Sequence, residues 1–293
     1  MKLQGAYTAL VTPFRGGAVD YEAFEALVEF QIADGISGVV PVGTTGESPT
    51  VTAEEARELV SRAVRQARGR VPVIAGTGSN STAETVARTR AAEAAGAQAA
   101  MVVMPYYNKP TQRGLVAHVR AVHDATGLPL VLYNVPTRGT ADLAVESLVE
   151  LCKACPRVVG LKEATGNILR AQSVVAALGD RLTVLCGDDA LTLGMLACGA
   201  RGVISVTSNA LPGAVAGVCR SFLEGDLEAA RRRHLALLEV HESMFLETNP
   251  GPVKAALAAM GKVREEVRLP LVWPTEATVH KVLAALRRAG VSL

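Results

Sequence analysis

Short apolar, β-branched runs alternate along this chain with longer segments rich in Ala, Glu and Arg. The apolar runs fall at residues 6–12, 38–42, 71–75, 99–104, 130–134, 158–162, 183–187 and 202–206. Within each run the apolar residues are nearly continuous rather than alternating. That pattern predicts strands of a parallel sheet covered on both faces. A helical pattern follows each of the eight, which predicts an α/β fold, the (β/α)8 TIM barrel. After Phe222 the strand patterns stop, and helical patterns occupy 226–247, 252–260 and 276–289. The expected division is a catalytic barrel over 1–224 and a C-terminal helical appendage over 225–293.

A doubly wound open sheet is the competing architecture. Gly76-Thr77-Gly78-Ser79-Asn80-Ser81, after the third run, partly matches a dinucleotide fingerprint. The third glycine is missing, and Glu93 falls mid-helix where an acidic residue would have to end a strand. No Walker A sequence occurs either, so the pattern favours the barrel.

Composition removes several function classes. The chain has 293 residues, 49% hydrophobic and 20% charged, which is enough for one large core. Net charge is +2 and aromatic residues make up 4%. The basic runs Arg231-Arg232-Arg233 and Arg287-Arg288 lie in helical patterns, as solvated faces do. No basic patch with interleaved aromatics is present, so nucleic acid is not an expected partner. No apolar run approaches the roughly 18 residues of a membrane span, and no signal-like apolar core is seen near the N-terminus. The expected location is the cytoplasm. Five scattered cysteines argue against a disulfide framework. Cys152-x-x-Cys155 has no second pair and ends at Pro156. The five histidines, His118, His123, His234, His241 and His280, fall in helical patterns without metal-ligand spacing, so neither metal nor cofactor is expected.

Seven lysines stand against twenty-three arginines, yet one lysine, Lys162, closes the apolar run of strand six. Arginine stays protonated, whereas a buried lysine can lose its proton and act as an amine nucleophile. Glu163 is a poor partner for it, because adjacent strand residues point to opposite faces. Barrel enzymes place their chemistry after the C-terminal ends of strands. Those ends carry Thr12, Gly43-Thr44-Thr45-Gly46-Glu47-Ser48, Asn80, Tyr106, Tyr107, Tyr133, Arg138, Lys162 and Asp188. The Gly-Thr-Thr-Gly turn offers closely spaced N–H groups and two hydroxyls to a carboxylate; the plainer alternative is an ordinary turn with Gly46 at positive φ. Arg138 could clamp a second carboxylate, and Tyr133, on the strand next to Lys162, could shuttle protons to an amine adduct.

The segments Gly43-Thr44-Thr45-Gly46-Glu47-Ser48, Tyr133-Asn134-Val135-Pro136-Thr137-Arg138, Gly160-Leu161-Lys162-Glu163-Ala164-Thr165-Gly166-Asn167 and Gly202-Val203-Ile204-Ser205-Val206 together resemble the dihydrodipicolinate synthase family. That family lies within the pyruvate-dependent class I aldolase superfamily, and the resemblance covers essentially the whole chain. It implies a lyase that joins pyruvate to L-aspartate 4-semialdehyde in the diaminopimelate route to lysine. Lys162 is then the Schiff-base lysine, and Thr44, Tyr133 and Tyr107 form a proton relay, with Tyr107 reaching in from a neighbouring subunit. Thr45 and backbone near Ile204 contact the pyruvate carboxylate, Arg138 receives the semialdehyde carboxylate, and Gly187 and Asp188 complete the substrate-binding set. The resemblance also implies a homotetramer built as a dimer of dimers.

Two positions depart from the family pattern. Arg138 is followed by Gly139-Thr140 instead of Thr-Gly, which bears on the loop beyond it. In many bacterial relatives lysine binds at positions that are here Ser48, Asn80, Glu84 and Tyr106, but two histidines common there are Ala53 and Ala56. Weak or absent lysine inhibition is therefore expected. Ser81-x-x-Glu84 and Thr52-x-x-Glu55 also read as capping boxes, which would explain Glu84 as a helix-start residue. Two other functions compete with this one. A lyase acting on N-acetylneuraminate or a 2-keto-3-deoxy sugar acid suits Arg138 less well than a short carboxylate substrate does. A non-catalytic binding barrel would not need Lys162, Tyr133, Tyr107 and Thr44 together.

Overall fold

The computed structural model describes residues 3–293. Its eight barrel strands are β1 Gly5–Ala9, β2 Gly38–Val40, β3 Ile74–Gly76, β4 Ala99–Val103, β5 Leu130–Asn134, β6 Val158–Glu163, β7 Thr183–Cys186 and β8 Gly202–Ser205. All pair in parallel, in the order β2-β1-β8-β7-β6-β5-β4-β3. A parallel bridge between Val39 and Val73 joins the two ends, so the sheet closes into a (β/α)8 barrel.

Side chains leave each strand alternately inward and outward, and both directions are apolar here. Tyr7, Ala9, Val40, Ile74, Met101, Val131, Tyr133, Leu185 and Ile204 form one cluster, the barrel interior. Their strand neighbours, including Ala6, Val39, Ala75, Val102, Leu132, Leu161, Val184 and Val203, belong to the larger cluster shared with the surrounding helices. This double burial is why the strands read as unbroken apolar runs.

Several strand ends differ from the pattern in the sequence. β1 stops at Ala9, not Thr12, because side chains take over the bonding: Val11 N–H donates to Asn209 Oδ1 at 3.1 Å, and Thr12 Oγ1 donates to the Gly46 carbonyl at 2.7 Å. β2 stops at Val40, and Val42 takes φ 58°, outside the β region. An unforeseen hairpin, Phe14–Arg15 with Ala18–Val19, turns on Gly16-Gly17, both at positive φ as a tight two-residue turn demands.

The chain ends in helices Leu227–Ser243, Gly251–Ala259 and Glu276–Arg288. Asp226 and Thr275 cap the first and third through their side chains. The apolar faces of this segment share a cluster with Val11, Leu27, Val206 and Ala210 of the barrel. Polar contacts add to that seam. Lys254 Nζ lies 2.5 Å from Glu47 Oε1, both fully buried, and donates to the Glu266 carbonyl at 2.9 Å. The approach to Glu47 lacks hydrogen-bond geometry, so it is an ion pair. Arg268 N–H donates to Glu47 Oε2 at 2.9 Å, and its guanidinium grips both oxygens of Glu55 at 2.6 and 2.7 Å.

Candidate active site

Lys162 sits next to the C-terminal end of β6, only 4% exposed. Tyr133 on β5 is its register partner, and the Lys162 amine lies 4.2 Å from the centre of the phenol ring. Glu163 points away to the outer shell, where its carboxylate accepts from Thr165 N–H at 2.9 Å and Arg170 Nε at 3.0 Å. The alternation expected from the sequence separates the two charges as anticipated, and Lys162 forms no ion pair among the described residues.

The Gly43–Ser48 turn follows β2. Glu47 N–H donates to the Thr44 carbonyl at 3.0 Å and Ser48 N–H to the Gly43 carbonyl at 3.3 Å. Gly46 does not take the positive φ of the plainer alternative: Val42 and Glu47, at 58° and 56°, carry the left-handed conformation. Gly46 is needed for space instead, since a Cβ there would press on the Leu10 carbonyl and Val42 N at 3.1 Å. Thr44 is half-buried and Thr45 buried, and the Thr45 hydroxyl accepts from Asn249 Nδ2 at 3.0 Å.

A cavity of 740 Å³ opens over this rim. Tyr133, Thr137, Arg138, Gly187 and Asp188 line it from the barrel; His241, Glu242, Phe245, Glu247, Thr248 and Asn249 line it from the C-terminal segment. Arg138 is exposed, at the end of a single helical turn, Pro136–Gly139. The residue after that turn is Thr140, which takes φ 63°, a costly conformation for a β-branched side chain. A glycine would take it freely, so the Gly139-Thr140 order puts the strain on Thr140. The loop is tied down behind the arginine, where Asn134 donates to Asp142 Oδ1 at 2.8 Å and accepts from Leu143 N–H at 3.1 Å. Burial raises the pKa of Asp188, and the neighbouring Asp189 charge adds to it, while N–H bonding from Ala190 opposes both. Ile204 itself is in the barrel interior; the turn beyond it is fixed by Asp189, which accepts from Val206 and Thr207 N–H at 2.8 and 3.1 Å.

Tyr107 does not join this group. It is 86% exposed, at φ 72°, whereas Lys162, Thr45 and Ile204 are buried; like Tyr107, Lys162, Thr44, Thr45 and Ile204 are not among the residues that line the cavity itself. The proposed regulatory residues divide as well. Ser48 and Glu84 line a separate 180 Å³ hollow together with Ala53, Ala56, Arg57 and Arg88, whereas Asn80 and Tyr106 do not. The Thr52 and Glu55 capping box is complete. At Ser81 only half of the box forms, because the Glu84 carboxylate turns to Ser79 Oγ at 2.6 Å and to Arg88. Cys152 and Cys155 are buried free thiols, and burial pushes Cys152 up to about 11. Among the described residues no group of His, Cys, Asp and Glu is arranged to hold a metal ion.

The cavity residues supplied by the C-terminal segment, Asn249 above all, were not singled out from the sequence. Thr248-Asn249-Pro250 reads there as a plain interhelical loop, and only the fold brings it 204 positions back against Thr45.

A closed (β/α)8 barrel with a desolvated lysine near the end of its sixth strand has the layout of barrel enzymes that form Schiff bases. Comparison with known proteins narrows the class. The model of the dihydrodipicolinate synthetase family matches residues 2–289, and the chain belongs to that family. A 4-hydroxy-tetrahydrodipicolinate synthase from Sorangium cellulosum is 57% identical over 290 residues, covering 98% of this chain and 96% of that one. Another, from Nitratidesulfovibrio vulgaris, is 48% identical over 99% of this chain and 100% of its own. Among solved structures, the 4-hydroxy-tetrahydrodipicolinate synthase of Methylacidiphilum fumariolicum superposes with a TM-score of 0.97 at 44% identity, covering 99% of this chain and 96% of that one.

Proposed function

We propose that this chain is a 4-hydroxy-tetrahydrodipicolinate synthase, a lyase that condenses pyruvate with L-aspartate 4-semialdehyde on the diaminopimelate route to lysine. The observation that carries this reading is the buried Lys162 amine against Tyr133, in a chain 57% identical to a protein of that name. Neutral Lys162 Nζ attacks the pyruvate ketone carbon, and loss of water leaves an imine. Removal of a methyl proton gives the enamine, whose carbon adds to the semialdehyde carbonyl. The amino group of the second substrate then attacks the imine carbon, closes the ring and frees the lysine. Tyr133 and Thr44 carry protons to and from the adduct, Thr45 and backbone near Ile204 hold the pyruvate carboxylate, and Arg138 takes the semialdehyde carboxylate, with Gly187 and Asp188 on the same wall.

Tyr107 belongs to the relay of a neighbouring subunit, in a homotetramer built as a dimer of dimers. Its exposure and its positive φ support that reading, and sedimentation velocity of the purified protein checks it. We assign residues 1–224 to the catalytic barrel and 225–293 to a helical unit over its mouth. The cytoplasm is the proposed location, supported by the five unpaired cysteines. Borohydride reduction with pyruvate, followed by peptide mass analysis, tests the chemistry: a reduced pyruvyl adduct is expected on Lys162. An unmodified Lys162 would overturn the assignment.

A further inference from the structure

We propose that Asn249 is a positioning residue that directs the Thr45 hydroxyl proton at the substrate carboxylate, an inference that rests on the reading of Thr45 as a pyruvate contact. Asn249 comes from the loop between helices Leu227–Ser243 and Gly251–Ala259, yet it is 5% exposed and lines the same cavity as Tyr133. Its Nδ2 donates to Thr45 Oγ1 at 3.0 Å, and Thr45 is itself 3% exposed.

A threonine hydroxyl has one proton and two lone pairs. The Asn249 amide occupies a lone pair, and among the described residues no acceptor takes the proton. The rotor is therefore set with its donor free. The Thr45 backbone has little freedom to do this by itself. The turn is closed by its own Thr44–Glu47 and Gly43–Ser48 bonds, tied to Thr12 through Gly46, and fixed at Glu47 by Lys254 and Arg268. With the backbone held, the direction of the hydroxyl is the variable left, and Asn249 sets it.

The other end of the amide fits the same role. Asn249 Oδ1 is buried and has no hydrogen-bond partner among the described residues. Buried acceptors are normally paired, so this one marks a polar wall built around a ligand rather than a packed core position. An amide can donate to Thr45 without bringing charge. A carboxylate at the same place would accept the Thr45 proton, turn the donor away and repel the substrate carboxylate.

The test compares Asn249→Asp, Asn249→Ala and Thr45→Val by steady-state kinetics in both substrates, with circular dichroism as a check of folding. A hydrogen bond to a charged group corresponds to roughly tenfold or more in binding. Asn249→Asp is expected to raise KM for pyruvate by about that factor, Asn249→Ala by less, with KM for aspartate semialdehyde within about twofold of wild type. In the Thr45→Val background, Asn249→Ala should add little further change. A pyruvate KM unchanged in Asn249→Asp, or the same rise from Asn249→Ala with and without Thr45, overturns the inference. Borohydride trapping of the wild type separates the two levels. If Lys162 is trapped and the Asn249 variants behave as wild type, the inference alone fails; if Lys162 is not trapped, the functional reading fails with it.

Discussion

Tyr133 and Lys162 face each other across β5 and β6, with the amine 4.2 Å from the centre of the phenol ring. Packing needs the ring, whereas proton transfer needs the hydroxyl, so Tyr133→Phe separates them. We expect kcat to fall by roughly 10²–10³-fold, with the pyruvyl adduct still formed, but slowly. Lys162→Ala should form no adduct at all. Rapid-quench borohydride trapping measures both, and wild-type turnover in Tyr133→Phe would remove the tyrosine from the relay.

Glu47 and Lys254 are a buried ion pair between the Gly43–Ser48 turn and the C-terminal helices. Burial lowers the Lys254 pKa, and the Glu47 charge works against that shift. Removing one partner strands the other charge, at a cost of about 3–5 kcal/mol. Lys254→Met should therefore be far less stable in urea denaturation than the double variant Glu47→Gln/Lys254→Met. Equal stability of the two would mean that the pair contributes no coupling.

His118 is buried, with Nδ1 2.9 Å from Thr82 Oγ1 and Nε2 without a partner. Burial lowers its pKa from 6.5 to about 4, and burial lowers His234 and His241 as well. A depressed folded-state pKa means that folding favours the neutral ring. Its stabilisation is complete above the unfolded value near 6.5 and is lost as pH falls towards 4. The Tm measured by scanning calorimetry should decline across that window. His118→Gln should be less stable at neutral pH but decline less steeply; an identical slope would show that His118 is not a major titrating group.

Ala53 and Ala56 line a hollow that also holds Arg57 and Arg88, and its one carboxylate, Glu84, is already engaged by Arg88 and Ser79. A cationic amino acid would meet two guanidiniums there and no free counter-charge. Lysine should leave the rate of the purified enzyme unchanged at micromolar concentration. A titration with inhibition in that range would refute this.

The barrel was legible because double burial makes each strand an apolar run, and Lys162 stood out because it interrupts that chemistry at a rim. Its separation from Glu163 followed from strand alternation alone. The details that escaped depend on contacts distant in sequence. β1 ends early because Asn209 and Gly46 bond to its continuation. The turn's left-handed residues are Val42 and Glu47, because packing against Leu10 decides Gly46. Asn249 carries no local signal, and Tyr107, though close in sequence to a strand end, is exposed and does not line the cavity.

Lys162 and Lys254 are both withdrawn from solvent in this lysine-poor chain, and each lies 4.2 Å from an aromatic ring centre. They differ in their company. Lys254 is locked to a carboxylate, so its amine is fully spoken for, while Lys162 lies on the Tyr133 ring and forms no ion pair among the described residues. The molecule therefore contains its own control. A small carbonyl probe is expected to modify Lys162 and leave Lys254 intact, and equal modification of both would show that the carboxylate does not protect Lys254.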